Sequence, residues 1–313
     1  EIIVFDYGST DNSREIIASY GQQIVAILKD NGGQNSCFNI ALKRSKGDVI
    51  VFLDADDVLF DNAVELHVER FRDPSVVKSN GYLEVTDDAL RPIGAMIPSR
   101  LSPSGNYRER LLEIGPAAYR SSFTSGNAWS RDFLEKVMPL PLETTLGADG
   151  FLTAVDLLFG RIESIPQSIG QYRLHDSNKG PLSPRYGIEY LRKFVHRYER
   201  RMDYAAMWAE KLGYTPDRTQ WATHMGWRRA LAHQALYLSG DKHEAIASTR
   251  LILAPLRGEN SSFHRKAYLT ISLSLTKMLP RSLALPLAHS LLRKSFQKLH
   301  TRSGIGRHRA TPK

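Results

Sequence analysis

Apolar and polar positions divide the chain into two regimes. Over the first 60 residues, short apolar runs alternate with segments of helical period. Ile2-Ile-Val-Phe5 predicts a short buried strand. A helix follows from Asn12, with Glu15 three residues on in the spacing of a capping box, and runs to about Tyr20, where Gly21 ends it. Ile24–Leu28 predicts a second strand, Asn31-Gly32-Gly33 a turn, Gln34–Arg44 a second helix, and Lys46-Gly47-Asp48 another turn. Val49-Ile-Val-Phe-Leu53 is apolar at every position, as a strand covered on both faces requires. This alternation predicts an α/β fold, a mostly parallel sheet with helices on both faces.

Further along, the pattern predicts a helix from Asp61 to Phe71 and a strand over Tyr82–Val85. Pro, Ser and Gly break the pattern between 92 and 125, which reads as loop or flexible lid. Short helices follow over Asp132–Val137 and Phe151–Leu158. After about residue 185 the period is helical: Leu191, Phe194, Val195, Tyr198, Met202 and Ala205 share one face. Trp221–Leu238 and His243–Leu253 read as an antiparallel pair about Ser239-Gly240-Asp241. A boundary near 180 separates an α/β domain (1–180) from a helical appendage (181–300) and a basic, disordered tail (301–313).

Charge is distributed just as unevenly. The net charge is +9, yet Ser261–Lys313 holds eleven Lys and Arg and no Asp or Glu, leaving 31 basic and 33 acidic residues before it. The body therefore gives no sign of nucleic-acid binding. Ala267–Leu292, flanked by Arg265, Lys266, Arg293, Lys294 and Lys298, suits a helix lying on an anionic membrane surface; the alternative is a packing helix with a solvated end. Lys277, Pro280, Arg281 and Pro286 interrupt it too often for a bilayer span. The single cysteine, Cys37, excludes an intrachain disulfide framework and a cysteine-based zinc site. It reads as a core filler on a helix and fits a reducing, cytoplasmic setting. The chain opens at Glu1 without a signal-peptide pattern or an initiator Met, as a fragment would.

The candidate chemistry lies where the apolar strand ends. Asp54-Ala55-Asp56-Asp57 places three carboxylates within four residues at the carboxyl end of a strand, where open α/β sheets bind ligands. Three such charges repel unless a cation lies among them. Oxygen ligands of this kind suit Mg²⁺ or Mn²⁺ bridging to substrate phosphates. The plainer alternative is an acidic helix N-terminus. A calcium loop is excluded by Leu59 where such a loop needs glycine.

Phe5-Asp-Tyr-Gly-Ser-Thr-Asp-Asn-Ser13, Asn31-Gly-Gly-Gln34, Lys46-Gly-Asp48 and Phe52-Leu-Asp-Ala-Asp-Asp57, in that order, resemble the family 2 glycosyltransferases. The resemblance spans about residues 1–180. It implies a GT-A fold and inverting transfer of a sugar from a nucleotide-diphosphate sugar to an acceptor hydroxyl, with a divalent cation. By matching position it implies Asp6 at the nucleotide pocket, Asp54 as a ribose-side or metal-side carboxylate, and Asp56 as direct metal ligand. Asp149, in Gly147-Ala148-Asp149-Gly150, is then the general base, and His175, in Gln171-Tyr-Arg-Leu-His175, completes the metal shell. Asp57, Gln34 and Asn39 are further donor-binding candidates; the latter two could equally face solvent. Trp129 could stack on a sugar or sit in the core. Tyr7 stands where the family has a second Asp. The family's first strand and helix fall before Glu1, so the chain as given is expected to fold poorly or bind donor weakly. Two other readings remain: a truncated, non-catalytic sugar- or partner-binding relative, and a haloacid-dehalogenase-type phosphatase with Asp54 as nucleophile. The latter usually has Gly-Thr where this chain has Asp57-Val58.

Overall fold

The computed structural model describes residues 1–143, 145–175, 188–224, 227–240 and 263–297. The boundary expected near 180, the helix expected at His243–Leu253 and the tail 301–313 lie outside them.

The elements run β1 (Ile3–Asp6), α1 (Ser13–Ser19), β2 (Val25–Leu28), α2 (Gly33–Arg44), β3 (Val49–Val51), β4 (Val58–Leu59), α3 (Ala63–Arg70), β5 (Val76–Thr86), β6 (Pro92–Ile97) and α4 (Arg108–Ile114). Then come β7 (Asn127–Ser130), α5 (Arg131–Val137), α6 (Ala148–Phe159), β8 (Arg161–Arg173), α7 (Ile188–Lys211), α8 (Arg218–Thr223), α9 (Trp227–Leu238), α10 (Phe263–Met278) and α11 (Arg281–Gln297). The α/β class and the helical C-terminal part are as expected. Segment 92–125 is not the expected loop: it holds β6, α4 and two 3-10 turns. The single helix expected from Trp221 to Leu238 is two, α8 and α9.

The strands form two sheets. One contains β1 and β2 alone, paired in parallel. The other has the order β3-β7-β5-β8-β4, with β6 also on β5. Within it only β5 and β8 are parallel; the other four pairings are antiparallel. The mostly parallel sheet is thus corrected to a mixed one. The connections explain the mixture. β5 and β6 are joined by a tight turn over Asp87–Arg91, with Leu90 at φ 61°, and a hairpin can only be antiparallel. β5 and β8 are separated by α4, α5 and α6, enough chain for a parallel crossover. β1 is corrected too: Ile3, Val4 and Phe5 are half-buried and Val25 and Leu28 of β2 are exposed, because β1 has β2 as its one strand partner.

β5 is central. One face of its sheet packs on α6, which is buried along most of its length by Phe151, Leu152, Val155, Leu157 and Leu158. The other face carries Leu83, Val85, Ile97, Ile165 and Ile169 with Ala63 of α3. A separate helical core joins Leu191 and Val195 of α7 to α9, α10 and α11. The second half of α7 instead contributes Tyr204, Ala205, Ala206 and Trp208 to the core under the sheet. That one helix belongs to both cores. Cys37 is buried on α2, as expected.

A charged pair lies inside the sheet core. Lys78 of β5 is fully buried, with Nζ 2.9 Å from Asp156 Oδ2 of α6 and 2.6 Å from Ser121 Oγ. Its ammonium also lies 5.0 Å from the ring centre of Trp129. Burial pushes the lysine down and the aspartate up, and the charge of each opposes that shift in the other.

Candidate active site

The acidic loop leaves β3 at a pinned position. Phe52 stacks on Phe38 of α2, ring centres 3.8 Å apart, which fixes where Asp54 emerges. The Asp54 amide donates to Ser125 Oγ (3.1 Å), and Ser125 Oγ donates to Asp57 Oδ2 (2.6 Å). The other Asp57 oxygen accepts from the Arg173 amide at 3.2 Å, and Arg173 Nε donates to the Asp56 carbonyl at 2.9 Å. Asp57 is 7% exposed. Burial pushes its carboxyl up to about 6, against the bonds from Ser125 and Arg173 that favour its charge. It clamps the loop to the end of β8.

Asp56 faces outward. Its Oδ2 lies 2.9 Å from His175 Nε2, and the two side chains are 41% and 25% exposed. Among the described residues no three His, Cys, Asp or Glu side chains converge closely enough to enclose an ion. Asp56 and His175 offer two adjacent donors open to solvent. That suits a hard cation which keeps waters and takes further oxygens from a phosphate.

Asp54 connects this loop to α6. Gln34, at the start of α2, donates from Nε2 to Asp54 Oδ1 (3.3 Å) and accepts at Oε1 from the Ala148 amide (3.3 Å). A Cβ on Gly147 would stand 3.1 Å from Gln34 Oε1 and 3.2 Å from Asp149 Oδ1, so glycine there leaves room for both groups. Asp54 is pushed up to about 7, by burial first and then by the charges of Asp149, Asp57 and Asp56. The four carboxylates form one anionic field that a cation would relieve. Asp149 is the second residue of α6, where the helix N-terminus favours negative charge. Burial raises its carboxyl, while the Gly150 amide and the charges of Arg201, Arg197 and Lys78 oppose that.

The remaining candidates sit elsewhere or are engaged by the backbone. Asp6 accepts from Arg14 Nε at 2.7 Å and from the amides of Gly8 (3.2 Å) and Ser9 (3.3 Å). Ser9 and Arg14 hold its carboxyl at about 2, and it fixes the turn after β1. Asn39 donates to the Leu140 carbonyl at 2.9 Å and accepts from the Leu140 amide at 2.7 Å. With Asn35, which donates to the Pro141 carbonyl at 2.7 Å, it ties the segment before α6 to α2. Trp129 is a core residue, 2% exposed and stacked on Phe133. Ser125 and Arg173 were not singled out from sequence. Both lie in segments of interest, Ser125-Gly-Asn-Ala-Trp129 and Gln171-Tyr-Arg-Leu-His175, but their roles depend on contacts with a loop about 70 and 116 residues away.

A cavity of about 680 Å³ opens near the starts of β3, β5 and β8, lined among others by Asp48, Ser75, Arg108, Arg131 and Arg161. The acids lie at the opposite strand ends, where open α/β sheets bind ligands, so the cavity is not this site.

Residues 1–125 match the family described as Glycosyl transferase family 2. An uncharacterised glycosyltransferase of Nostoc is 30% identical over 221 residues, covering 66% of this chain and 68% of that protein. An uncharacterised glycosyltransferase of Rickettsia prowazekii is 42% identical over 117 residues, 36% of this chain and 35% of its own length. A hyaluronan synthase of Pasteurella multocida is 29% identical over 200 residues, 62% of this chain and 19% of its own. The chain therefore spans about two thirds of the first relative and far less of the others. Among solved structures, a mannosyltransferase of Pyrobaculum calidifontis in complex with GDP-Man and Mn²⁺ aligns with TM-score 0.47 and 16% identity, covering 96% of this chain and 77% of that one.

Proposed function

This chain belongs to glycosyl transferase family 2, and from that premise we propose that it transfers a sugar from a nucleotide-diphosphate sugar to an acceptor hydroxyl with inversion, at the site formed by the acidic loop and the start of α6. The observation that carries the reading is the Gln34 bridge. It links Asp54 to Ala148 at the α6 N-terminus, two residues far apart in the sequence. Family membership sets the phosphatase alternative aside.

Within this reading Asp149 is the general base that takes the proton of the acceptor hydroxyl on the face opposite the leaving group. One base suffices for inversion without a covalent intermediate. Asp56 and His175 would hold a Mn²⁺ or Mg²⁺ ion, which when bound supplies countercharge to the departing nucleoside diphosphate. Asp54 and Gln34 face the donor between the ion and the base. Asp57 supports that wall from behind, Asn39 holds the Leu140–Leu146 segment beside it, and Asp6 orders the turn at the nucleotide side. Residues 1–180 form the transferase unit in this proposal, with 181–300 as its helical appendage.

The test is a thermal-shift screen of nucleotide sugars with and without Mn²⁺. One donor should stabilise the chain only with the metal, and Asp56→Asn should abolish that dependence. Equal stabilisation of the variant, or a donor effect indifferent to metal, would remove Asp56 from the metal site. A donor that binds but is never turned over with any acceptor would favour the non-catalytic reading.

The partner surface of the helical part supports peripheral membrane contact on the cytoplasmic side. α10 exposes Tyr268, Ile271, Leu275 and Met278 at helical spacing, within a segment rich in Lys and Arg and free of acid. Apolar stripe and positive charge together suit an anionic lipid surface. Among the described residues no helix is long and apolar enough to cross a membrane. In a flotation assay the full chain should rise with vesicles containing phosphatidylserine and stay down with neutral ones. Ile271→Asp/Leu275→Asp should reduce flotation several-fold, and unchanged flotation of that variant would refute the contact.

A further inference from the structure

We propose that Arg201 of α7 is a positioning residue for Asp149, the helical segment supplying a counter-charge docked one turn behind the proposed base. The inference rests on the reading of Asp149 as the base and adds a function for α7.

The contact between α6 and α7 is the starting point. Arg201 Nη2 donates to the Thr153 carbonyl at 2.8 Å. Thr153 Oγ1 in turn donates to the Asp149 carbonyl at 2.7 Å. The guanidinium is therefore docked one helical turn behind Asp149, on the helix that presents it. Arg201 Nε is buried and has no hydrogen-bond partner, an unusual state for a group with five donors in a fixed fork. A guanidinium held this way acts on its surroundings through charge rather than through a closed ion pair.

Charge bookkeeping inside the core identifies what it acts on. Lys78 and Asp156 pair directly at 2.9 Å and largely cancel. That leaves Arg201, half-buried with its Nε inside, and the half-buried carboxylate of Asp149. The groups facing Asp149 are Arg201 and Arg197 from α7, Lys78 from β5, the neutral phenol of Tyr172 from β8 and Asp54 from the acidic loop. Arg197 is exposed and screened by solvent, Lys78 is engaged by Asp156, and Asp54 is a like charge. The groups facing Arg201 are Asp156 and Asp149 from α6, Lys78 from β5, Tyr198 from its own helix and Arg229 from α9. Arg229 and Lys78 repel it and Asp156 is shared with Lys78, so Arg201, docked on the Thr153 carbonyl, is the cation best placed to favour the charged form of Asp149.

A base works when deprotonated, and a nearby cation lowers the pH at which that happens. Removing the cation should raise the Asp149 midpoint and move the acidic limb of the kcat/KM profile to higher pH. The test is carboxyl-carbon NMR titration of protein labelled at aspartate, with the Asp149 signal assigned by its loss in Asp149→Asn. Arg201→Gln keeps a donor for the Thr153 carbonyl but no charge, and should raise the midpoint by about one pH unit. Arg201→Lys should return most of that shift. Arg200, beside Arg201 on α7, pairs with Glu143 of the segment before α6 (2.6 Å), and Arg200→Gln should leave the midpoint in place. A folded Arg201→Gln with an unmoved midpoint overturns the proposal, as does an equal rise in Arg200→Gln. Should Arg201→Gln not fold, Arg201→Met and Arg201→His at high pH provide the same uncharged comparison. The parent reading fails separately: turnover retained by Asp149→Asn would dismiss Asp149 as the base, while the NMR midpoint would still report the charge coupling.

Discussion

Asp149→Asn is expected to lower kcat by about 10²–10⁴-fold, the range typical of losing a positioned general base. Asparagine keeps the size of the side chain in the first turn of α6, so the melting temperature should change little. It cannot take a proton from the acceptor. The effect should therefore fall on kcat, with the donor KM nearly unchanged, because in the proposed arrangement the donor is met by Asp54 and Gln34 and not by Asp149. Measurement with the donor found by metal-dependent thermal shift would check both numbers. A variant that keeps wild-type kcat, or one that loses only donor affinity, would show that Asp149 is not the base.

Lys78→Met is expected to destabilise the fold by about 3–5 kcal/mol, because it leaves Asp156 buried without its cation. Asp156 is 1% exposed and Lys78 fully buried, so neither can turn to water. The double variant Lys78→Met/Asp156→Leu should recover most of the loss, since a pair replaced on both sides leaves no orphaned charge. Urea unfolding would measure this, with the slope held constant across variants. If the single and double variants lose the same amount, the pair contributes through packing volume and not through charge.

The fold was legible where local pattern and tertiary role agree. The first two strand–helix units, β3 and the helices α5 and α6 were all expected near their observed positions, since each carries its own period or cap; Ser130, for instance, accepts from the Phe133 amide at the start of α5. β8 was missed for a physical reason. Its buried apolar residues are Ile162, Ile165, Ile169 and Tyr172, spaced three, four and three apart, which reads as one face of a helix. The spacing arises from register shifts where β8 pairs with β5 around Gly81 and Tyr82, and irregularities of that kind shift the face on which later residues fall. Pro92 and Gly94 disguised β6 in the same way, although both can be accommodated at a sheet edge. At the site, the acids themselves were legible because they are contiguous or set in motifs. The groups that hold them, Ser125, Arg173 and Arg201, were not, since each acts across a long stretch of chain that only the folded arrangement closes.

The clamp on Asp57 also bears on what donor binding must accomplish. Ser125 and the Arg173 amide hold both oxygens of that side chain, and Arg173 holds the carbonyl of Asp56. The spacing between Asp56 and His175 is thereby set by bonds lying behind the site, formed when the protein folds. Freezing a backbone residue costs about 1–2 kcal/mol, and for this loop that entropy is lost before any ligand arrives. In the proposed arrangement a nucleotide sugar entering such a preorganised site has little left to order, so more of its contact energy appears as affinity.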